Sequence, residues 1–395
     1  MSLDWQTKAL TDICEIKPPK SEARRRFKDS DPVSFVPMED LGIDQMFLEP
    51  RAERQFSQVA GSYTYFADGD VLLAKITPCF ENGKLGIARG LTNGVGFGSS
   101  EYIVFRPHAD LIAEYLYYFL LQDSFRAEGI KSMGGAVGHK RVSKDFIERA
   151  RIPVPPLLEQ QRIVAILDGS FAGLTTATAN AEKNLKNARE LFDSYRDSLL
   201  AKSWPKKRLG EVCENLDSRR VPITKKFRRP GPTPYYGASG PVDFVDDFLF
   251  DEDLLLVSED GANLVMRTYP IAFSISGKAW VNNHAHVLRF TNFASQKWIE
   301  YYLNSVSLMP YVSGMAQPKL NQRALNSIPV PFPSLKEQER EVERFDELFA
   351  QVNSLKEAYG DRISLIGELK QSILHKAFSG ELTAPPSSEI KEAAE

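Results

Sequence analysis

Ile152-Pro153-Val154-Pro155-Pro156-Leu157-Leu158-Glu159-Gln160 returns as Ile328-Pro329-Val330-Pro331-Phe332-Pro333-Ser334-Leu335-Lys336-Glu337-Gln338. Each copy opens a long helical pattern, because the prolines bar a helix from running backwards while the apolar or small residues that follow recur at spacings of four and three. From Glu159 to about Lys202 these are Ile163, Leu167, Phe171, Leu174, Thr178, Ala181, Leu185, Ala188, Phe192, Tyr195 and Leu199. From Glu337 to about Lys376 they are Val342, Phe345, Phe349, Val352, Tyr359, Ile363, Ile366 and Ile373. That spacing predicts a coiled-coil seam. A continuous first helix would be a rod of roughly 66 Å at ~1.5 Å per residue. Ser334-Leu335-Lys336-Glu337 fits a capping box, whereas Gly169, Gly173, Gly360 and Gly367 are weak points in the two helices.

Outward from these stretches the repetition continues. Trp5, Leu10, Ile13, Cys14 and Glu15 match Trp204, Leu209, Val212, Cys213 and Glu214 at an offset of 199. Asp68, Asp70, Leu72, Leu73, Val104, Arg106, Tyr118 and Leu120 match Asp251, Asp253, Leu255, Leu256, Val287, Arg289, Tyr301 and Leu303 at an offset of 183. The repeated unit is a head plus its helix, and Ser198-Leu199-Leu200-Ala201-Lys202 closes the first copy as Ser372-Ile373-Leu374-His375-Lys376 closes the second. Each head reads as mixed α and β. Strands are predicted over 71–74, 102–105, 254–257 and 285–288, helices over 109–122 and 294–305, and a loop over Gly90–Gly98. Each seam needs a partner, and mutual antiparallel packing satisfies both. The predicted class is therefore α+β: two homologous mixed α/β heads separated by a pair of long antiparallel coiled-coil helices, pseudo-twofold. Expected boundaries are 1–155 and 204–333 for the heads, 156–203 and 334–378 for the helices, and 379–395 for a disordered tail rich in small and acidic residues.

A chain of 395 residues with 43% hydrophobic content can bury two cores. It has no run of 18 apolar residues and no apolar signal-peptide region, which implies a soluble cytoplasmic protein without a membrane partner. Cys14, Cys79 and Cys213 form no CxxC pair, so reduced thiols are expected. The net charge of −3 excludes a surface that is basic throughout, but residues 204–333 hold 15 Lys/Arg against 12 Asp/Glu, so a locally positive cleft is compatible with it.

Arg24, Arg25, Arg26 and Lys28 in the first half, and Arg219, Arg220, Lys225, Lys226, Arg228 and Arg229 in the second, follow the two Trp…Cys segments at comparable places. One basic cluster is usually solvated surface; its recurrence points to contact with a phosphate backbone. Lys75, Thr77, Glu81, Asn82 and Lys84, with Tyr235, Tyr236, Ser239, Glu259, Asp260 and Asn263, carry donors and acceptors suited to base edges, against the plain alternative of ordinary surface hydrogen bonding. His284 and His286 would share a face of a strand, where a hydrogen-bonding role is expected rather than metal ligation. Asp68 and Asp70 precede a strand, where a turn role suffices. The sequence has no G-x-x-x-x-G-K-[ST], G-x-S-x-G or H-E-x-x-H, and neither a catalytic residue nor a cofactor is expected.

These features together resemble the specificity subunit of type I restriction-modification enzymes. The resemblance is carried by Trp5 with Ile13-Cys14-Glu15-Ile16, by Phe66-Ala67-Asp68-Gly69-Asp70-Val71-Leu72-Leu73-Ala74-Lys75-Ile76-Thr77-Pro78-Cys79, by Pro234-Tyr235-Tyr236-Gly237-Ala238-Ser239-Gly240, by Ser258-Glu259-Asp260-Gly261-Ala262-Asn263, by the two proline-rich joins and by the closing Gln371–Gly380. It implies a non-catalytic reader of double-stranded DNA, in which two target-recognition domains each read half of a bipartite, asymmetric site and the helical pair sets the unspecified gap. It also implies docking of two adenine-methylating subunits and, through the complex, of restriction/translocase subunits. S-adenosylmethionine and ATP would belong to those partners, since the chain has no N-P-P-[YF] or D-P-P-[YF] and no Walker motif. A bivalent protein-binding scaffold is the competing class.

Overall fold

The computed structural model describes residues 5–136, 138–200, 202–314 and 317–384. The chain divides into two units, one made of residues up to Ala181 with those from Asp361 onward, the other of Glu182–Gly360. The first contains strands β1 (Gln6–Ala9), β2 (Cys14–Ile16), β3 (Pro32–Val36), β4 (Ala52–Gln55), β5 (Thr64–Ala67), β6 (Val71–Ala74), β7 (Leu85–Ile87), β8 (Val95–Gly98), β9 (Tyr102–Pro107) and β10 (Arg151–Val154). Its helices are α1 (Leu10–Ile13), α2 (Ser21–Arg26), α3 (Phe56–Val59), α4 (Ala113–Leu120), α5 (Asp123–Lys131) and α6 (Lys144–Arg149), followed by the start of α7 (Leu157–Leu200). The second contains β11 (Lys206–Arg208), β12 (Glu214–Asn215), β13 (Thr233–Gly237), β14 (Gly240–Val245), β15 (Phe250–Asp251), β16 (Leu254–Ser258), β17 (Ala272–Ile275), β18 (Lys278–Val281), β19 (Ala285–Arg289) and β20 (Pro329–Pro331). Its helices are α8 (Leu209–Val212), α9 (Asn263–Met266), α10 (Phe293–Ser305) and α11 (Gln322–Ser327), followed by the start of α12 (Leu335–Ser379).

Each unit has two four-stranded sheets and one two-stranded ribbon. The orders are β4-β3-β8-β5, β2-β9-β6-β7 and β1-β10 in the first, and β14-β13-β18-β15, β12-β19-β16-β17 and β11-β20 in the second. Every pairing of the first unit thus recurs ten strands later and in the same sense, including the parallel pairs β3/β8 and β13/β18. The apolar runs of β6 and β16 follow from their position, because both faces are covered. Val71 and Leu73 enter one core with α4 and the long-helix ends, and Leu72 and Ala74 enter another with Val36, Phe66 and Tyr102. Leu255 and Val257 against Leu254 and Leu256 divide in the same way.

Gly90–Gly98 departs from the expected loop, for its last four residues form the central strand β8. The glycines there serve close approach rather than turning. A Cβ on Gly96 would lie 2.4 Å from the Phe66 ring, and one on Gly98 would lie 2.3 Å from the Val36 carbonyl. The predicted 109–122 helix is shorter, α4, and α5 follows it directly. The long helices run through their glycines, none of which has a neighbour within 4 Å of a Cβ position. The tail expected from 379 falls outside the described residues beyond 384.

Each long helix contributes one half to each unit, and within each the halves run antiparallel. In the first, Ile163 and Leu167 share a core with Leu374 and Ala377, while Phe171 meets Lys370. In the second, Phe192 packs on Phe345 and Phe349, and Tyr195 packs on Phe345 and donates to Glu341. The repeated Glu-Gln of the joins fastens helix to head. Gln160, fully buried, donates to the Asp110 and Pro155 carbonyls and accepts from Ile112 N at 2.8–2.9 Å. Gln338 donates to the Pro333 carbonyl and accepts from Ser295 Oγ. Eight residues on, Tyr118 donates to Asp168 and, in the other unit, Tyr301 donates to Asp346. Gln160→Leu keeps the volume but removes the partner of the Pro155 carbonyl in a buried bond, and of the Ile112 amide and Asp110 carbonyl in part-buried ones, and is expected to cost about 1–3 kcal/mol. Thermal unfolding and exchange of the Ile112 amide check this, and an unchanged amide would sink it.

Candidate nucleic-acid interface

The turn after β2 reads Lys17-Pro18-Pro19-Lys20, and Lys17 takes φ of +61° there, which aims the following segment across the end of β9. With Lys75 at the end of β6, and Arg141 and Lys144 ahead of and within α6, it lines a groove of about 890 Å³ in the first unit. The fold brings these residues together through a short β-bridge between Ile76 and Arg141 and a Thr77 N to Lys140 carbonyl bond of 3.0 Å. Lys17, Lys20, Lys75, Arg141 and Lys144 line the groove with Glu148; Arg141 is paired with Glu101 at 2.7 Å and Lys144 with Glu148 at 3.2 Å, while Lys75 lies 3.9 Å from Glu101. Burial, then the charges of Arg24 and Lys17, push the Lys20 ammonium below its usual range. Burial, then Lys17 and Arg141, do the same to Lys75, although Glu101 opposes them. Burial is the larger cause in both, and an anion brought to the groove would favour the charged ammonium groups.

Arg24, Arg25, Arg26 and Lys28 are exposed at and just beyond the last turn of α2, and Arg24 is near enough to Lys20 for its charge to act there. Thr77 donates to Glu81 Oε1 at 2.8 Å, while Glu81 Oε2 is buried without a partner among the described residues. Asn82 is exposed. Lys84 donates to the Met38 carbonyl at 2.7 Å, as Lys20 does to that of Gly61 at 2.8 Å and Lys75 to that of Ser100 at 2.9 Å. The sequence reading missed Lys17, Lys20, Arg141 and Lys144. The Lys-Pro-Pro-Lys string was a usable signal for the first two. For the others nothing local was, because only the bridge to Ile76 makes them neighbours of Lys75.

The second unit fills the same place differently. Lys319 bridges Asp260 and Ser313 as Arg141 bridges Ile76 and Gly134, and Leu216 N bonds the Val287 carbonyl as Lys17 N bonds that of Val104. There the Arg220 guanidinium meets Glu259 at 2.6 Å and Asp217 at 3.5 Å, and Lys319 reaches Glu259 at 3.1 Å. His286 is buried, with Nδ1 on Asp217 at 2.5 Å and Nε2 on the Leu320 carbonyl at 2.7 Å. Burial alone would raise Asp217 and Glu259. His286, the Val287 amide and Arg220 hold the first below the usual carboxylate range, and Arg220, His286 and Lys319 hold the second there. Ligand atoms of Asp217, Glu259 and His286 lie within 4.8 Å of one another. With two cations on the carboxylates and both ring nitrogens engaged, the donor set is that of an ion-pair network rather than a cation cage. His284 does not join His286, since it lies in the turn before β19 and pairs with Asp260.

Several predicted contacts of the second half are therefore engaged inside the fold. Arg220 is bound as above. Arg228 pairs with Asp243 and lies over the Tyr235 ring. Tyr235 is buried, its hydroxyl accepting from Ile223 N, because alternate residues of β13 face inward. Asn263 brackets the Tyr269 backbone. Arg219 meets Glu252. Lys225, Lys226, Arg229 and Ser239 are exposed, and Tyr236 is half-buried against Phe273. The three cysteines are free, and burial pushes the Cys14 and Cys213 thiols up to about 12. Among the described residues, no helix is long and apolar enough to cross a membrane.

The model of the type I restriction modification DNA specificity domain matches residues 2–187 and again 201–363. The chain belongs to this family. Among curated relatives, the specificity subunit of the type I restriction enzyme EcoAI of Escherichia coli is 34% identical over 212 residues, 53% of this chain and 35% of that protein. The aligned part thus spans about a third of that relative's length. Among solved structures, a chain from work on complex assembly and conformational transition of the type I R-M system has a TM-score of 0.75 at 19% identity, covering 96% of this chain and 98% of its own. The HsdS subunit from Thermoanaerobacter tengcongensis has a TM-score of 0.62 at 20% identity, covering 96% and 97%. These two likenesses are of fold, and the duplicated α/β modules with two long helices are the architecture they share with this family member.

Proposed function

We propose that this family member is the non-catalytic DNA reader of a type I restriction-modification complex, each unit reading one half of a bipartite, asymmetric duplex site. The observation that carries the reading is one strand order built twice with opposite chemistry at the same place: an open groove of lysines in the first unit, a closed Arg220–Glu259–His286–Asp217 network in the second. A shared backbone with unlike surfaces suits two unlike half-sites. Lys17, Lys20, Lys75 and the exposed Arg24–Arg26 hold phosphates, and Thr77, Glu81 and Asn82 offer polar atoms to base edges. In the second half Lys225, Lys226 and Arg229 take the phosphate role. The long helices set the gap between half-sites and give two adenine-methylating subunits their docking surface, with restriction/translocase subunits joining through the complex.

Removing one heptad from α7 and the matching heptad from α12 shortens each helix by about 10 Å. The preferred gap is then expected to fall by about three base pairs, with both half-sites unchanged. Sequencing of methylated products from a randomised duplex library measures both quantities, and altered half-sites at the old gap would refute the helices as the spacer. A gel shift of the selected duplex that ignores salt and sequence would favour the bivalent protein-binding scaffold instead.

A further inference from the structure

The loop between β16 and β17 occupies the topological place of the β6–β7 loop, whose first residue, Lys75, lines the groove of the first unit. Its tip exposes large apolar side chains: Met266 is 72% exposed, Tyr269 61% and Val265 49%. An apolar tip on a loose loop would fold back onto the core, but this one is held out. Arg267 closes α9 in the left-handed region at φ +52°, and its guanidinium donates to the carbonyls of Leu303, Asn304 and Val306 at 2.5–3.3 Å. Asn263 Nδ2 donates to the Tyr269 carbonyl while its Oδ1 accepts from Tyr269 N. Gly261 N donates to the Pro318 carbonyl, and Leu264 is buried beneath. A non-glycine residue kept at positive φ by three carbonyls is strain held in place by its surroundings, and what it holds is the exposure of Val265 and Met266.

Neither the Val265 nor the Met266 side chain has a donor for a base edge, so these two, unlike the Tyr269 hydroxyl beside them, do not read sequence by hydrogen bonding. We propose that Met266, backed by Val265, is a wedge that enters a base step in the half-site of the second unit and unstacks it, so that this unit reads deformability where the first reads through charge and polar groups. Pyrimidine–purine steps yield most easily to such a wedge. The inference rests on the DNA-reading function proposed above.

The test uses the full chain with its methyltransferase subunits and duplexes selected from a randomised library, carrying 2-aminopurine at each position of the second half-site in turn. Fluorescence is expected to rise at one pyrimidine–purine step with the wild-type chain, to stay low with Met266→Ala, and to return with Met266→Leu. Affinity for the site should fall about tenfold in Met266→Ala, with the first half-site unchanged in a fresh selection. Equal fluorescence in wild type and Met266→Ala would overturn the wedge. So would a Met266→Ala chain that binds DNA normally but releases its methyltransferase subunits, which would make the tip a protein contact. A chain with Lys17, Lys20 and Lys75 reversed separates the two failures. If it loses DNA while Met266→Ala behaves as wild type, only the wedge fails; if it binds DNA as well as wild type, the underlying reading fails.

Discussion

A chain carrying Lys17→Glu, Lys20→Glu and Lys75→Glu together is expected to lose DNA affinity by on the order of 10²–10³-fold near physiological salt. Its plot of log affinity against log salt should be shallower by roughly 2.7, or about 0.9 for each phosphate contact removed. The basis is the gathering of lysines along one groove, where burial depresses both Lys20 and Lys75, neighbouring cations add to it, and Glu101 opposes it at Lys75. Carboxylates there reverse the field instead of merely thinning it, and the three Lys→Gln changes should give an intermediate loss. Binding isotherms at several salt concentrations measure both slope and intercept, with circular dichroism as the check on folding. An unchanged salt slope would show that phosphates do not enter this groove.

Arg220→Ala should destabilise the second unit by about 3–5 kcal/mol, because it leaves Glu259 and Asp217 beneath the surface with one cation fewer. The pH dependence carries a definite sign. Both carboxyls are held below their unfolded values of about 4.3 and 3.9. The stability they contribute is therefore present in full above those values and is lost as pH falls through the lower, folded ones. Wild type and variant should differ most near neutrality and converge in strong acid, where the carboxyls are protonated in both. Hydrogen exchange resolved to β16 and β19 reports this without requiring the whole chain to unfold in one step. A difference that persists undiminished at low pH would place the cost elsewhere.

The duplicated heads and long helices were legible because they rest on local signals. Prolines keep a helix from extending backwards past them, and a four–three alternation of apolar residues describes one helix face regardless of what covers it. The buried strands 71–74 and 254–257 were legible for the same reason, since both faces of β6 and β16 need apolar residues. Gly96 and Gly98 misled because composition cannot tell a glycine that turns from one that admits a neighbouring ring or carbonyl. Gln160 and Gln338 were visible as a repeat, but their role as buried fasteners depends on carbonyls and amides supplied by other elements. The basic clusters were legible only as charge. Arg24, Arg25 and Arg26 stayed exposed, whereas Arg220 and Arg228 turned inward because acids distant in sequence, Glu259 and Asp243, came within reach.

By itself the sequence determined that one head-and-helix unit is used twice and that its two copies differ in surface, since period, proline position and matched offsets are properties of the chain. Tertiary structure alone decided where the groove lies, which cations line it and which are bound within. Lys75 and Arg141 become neighbours only when a bridge between distant segments forms, and an arginine is surface or core according to the carboxylate that folding brings to it.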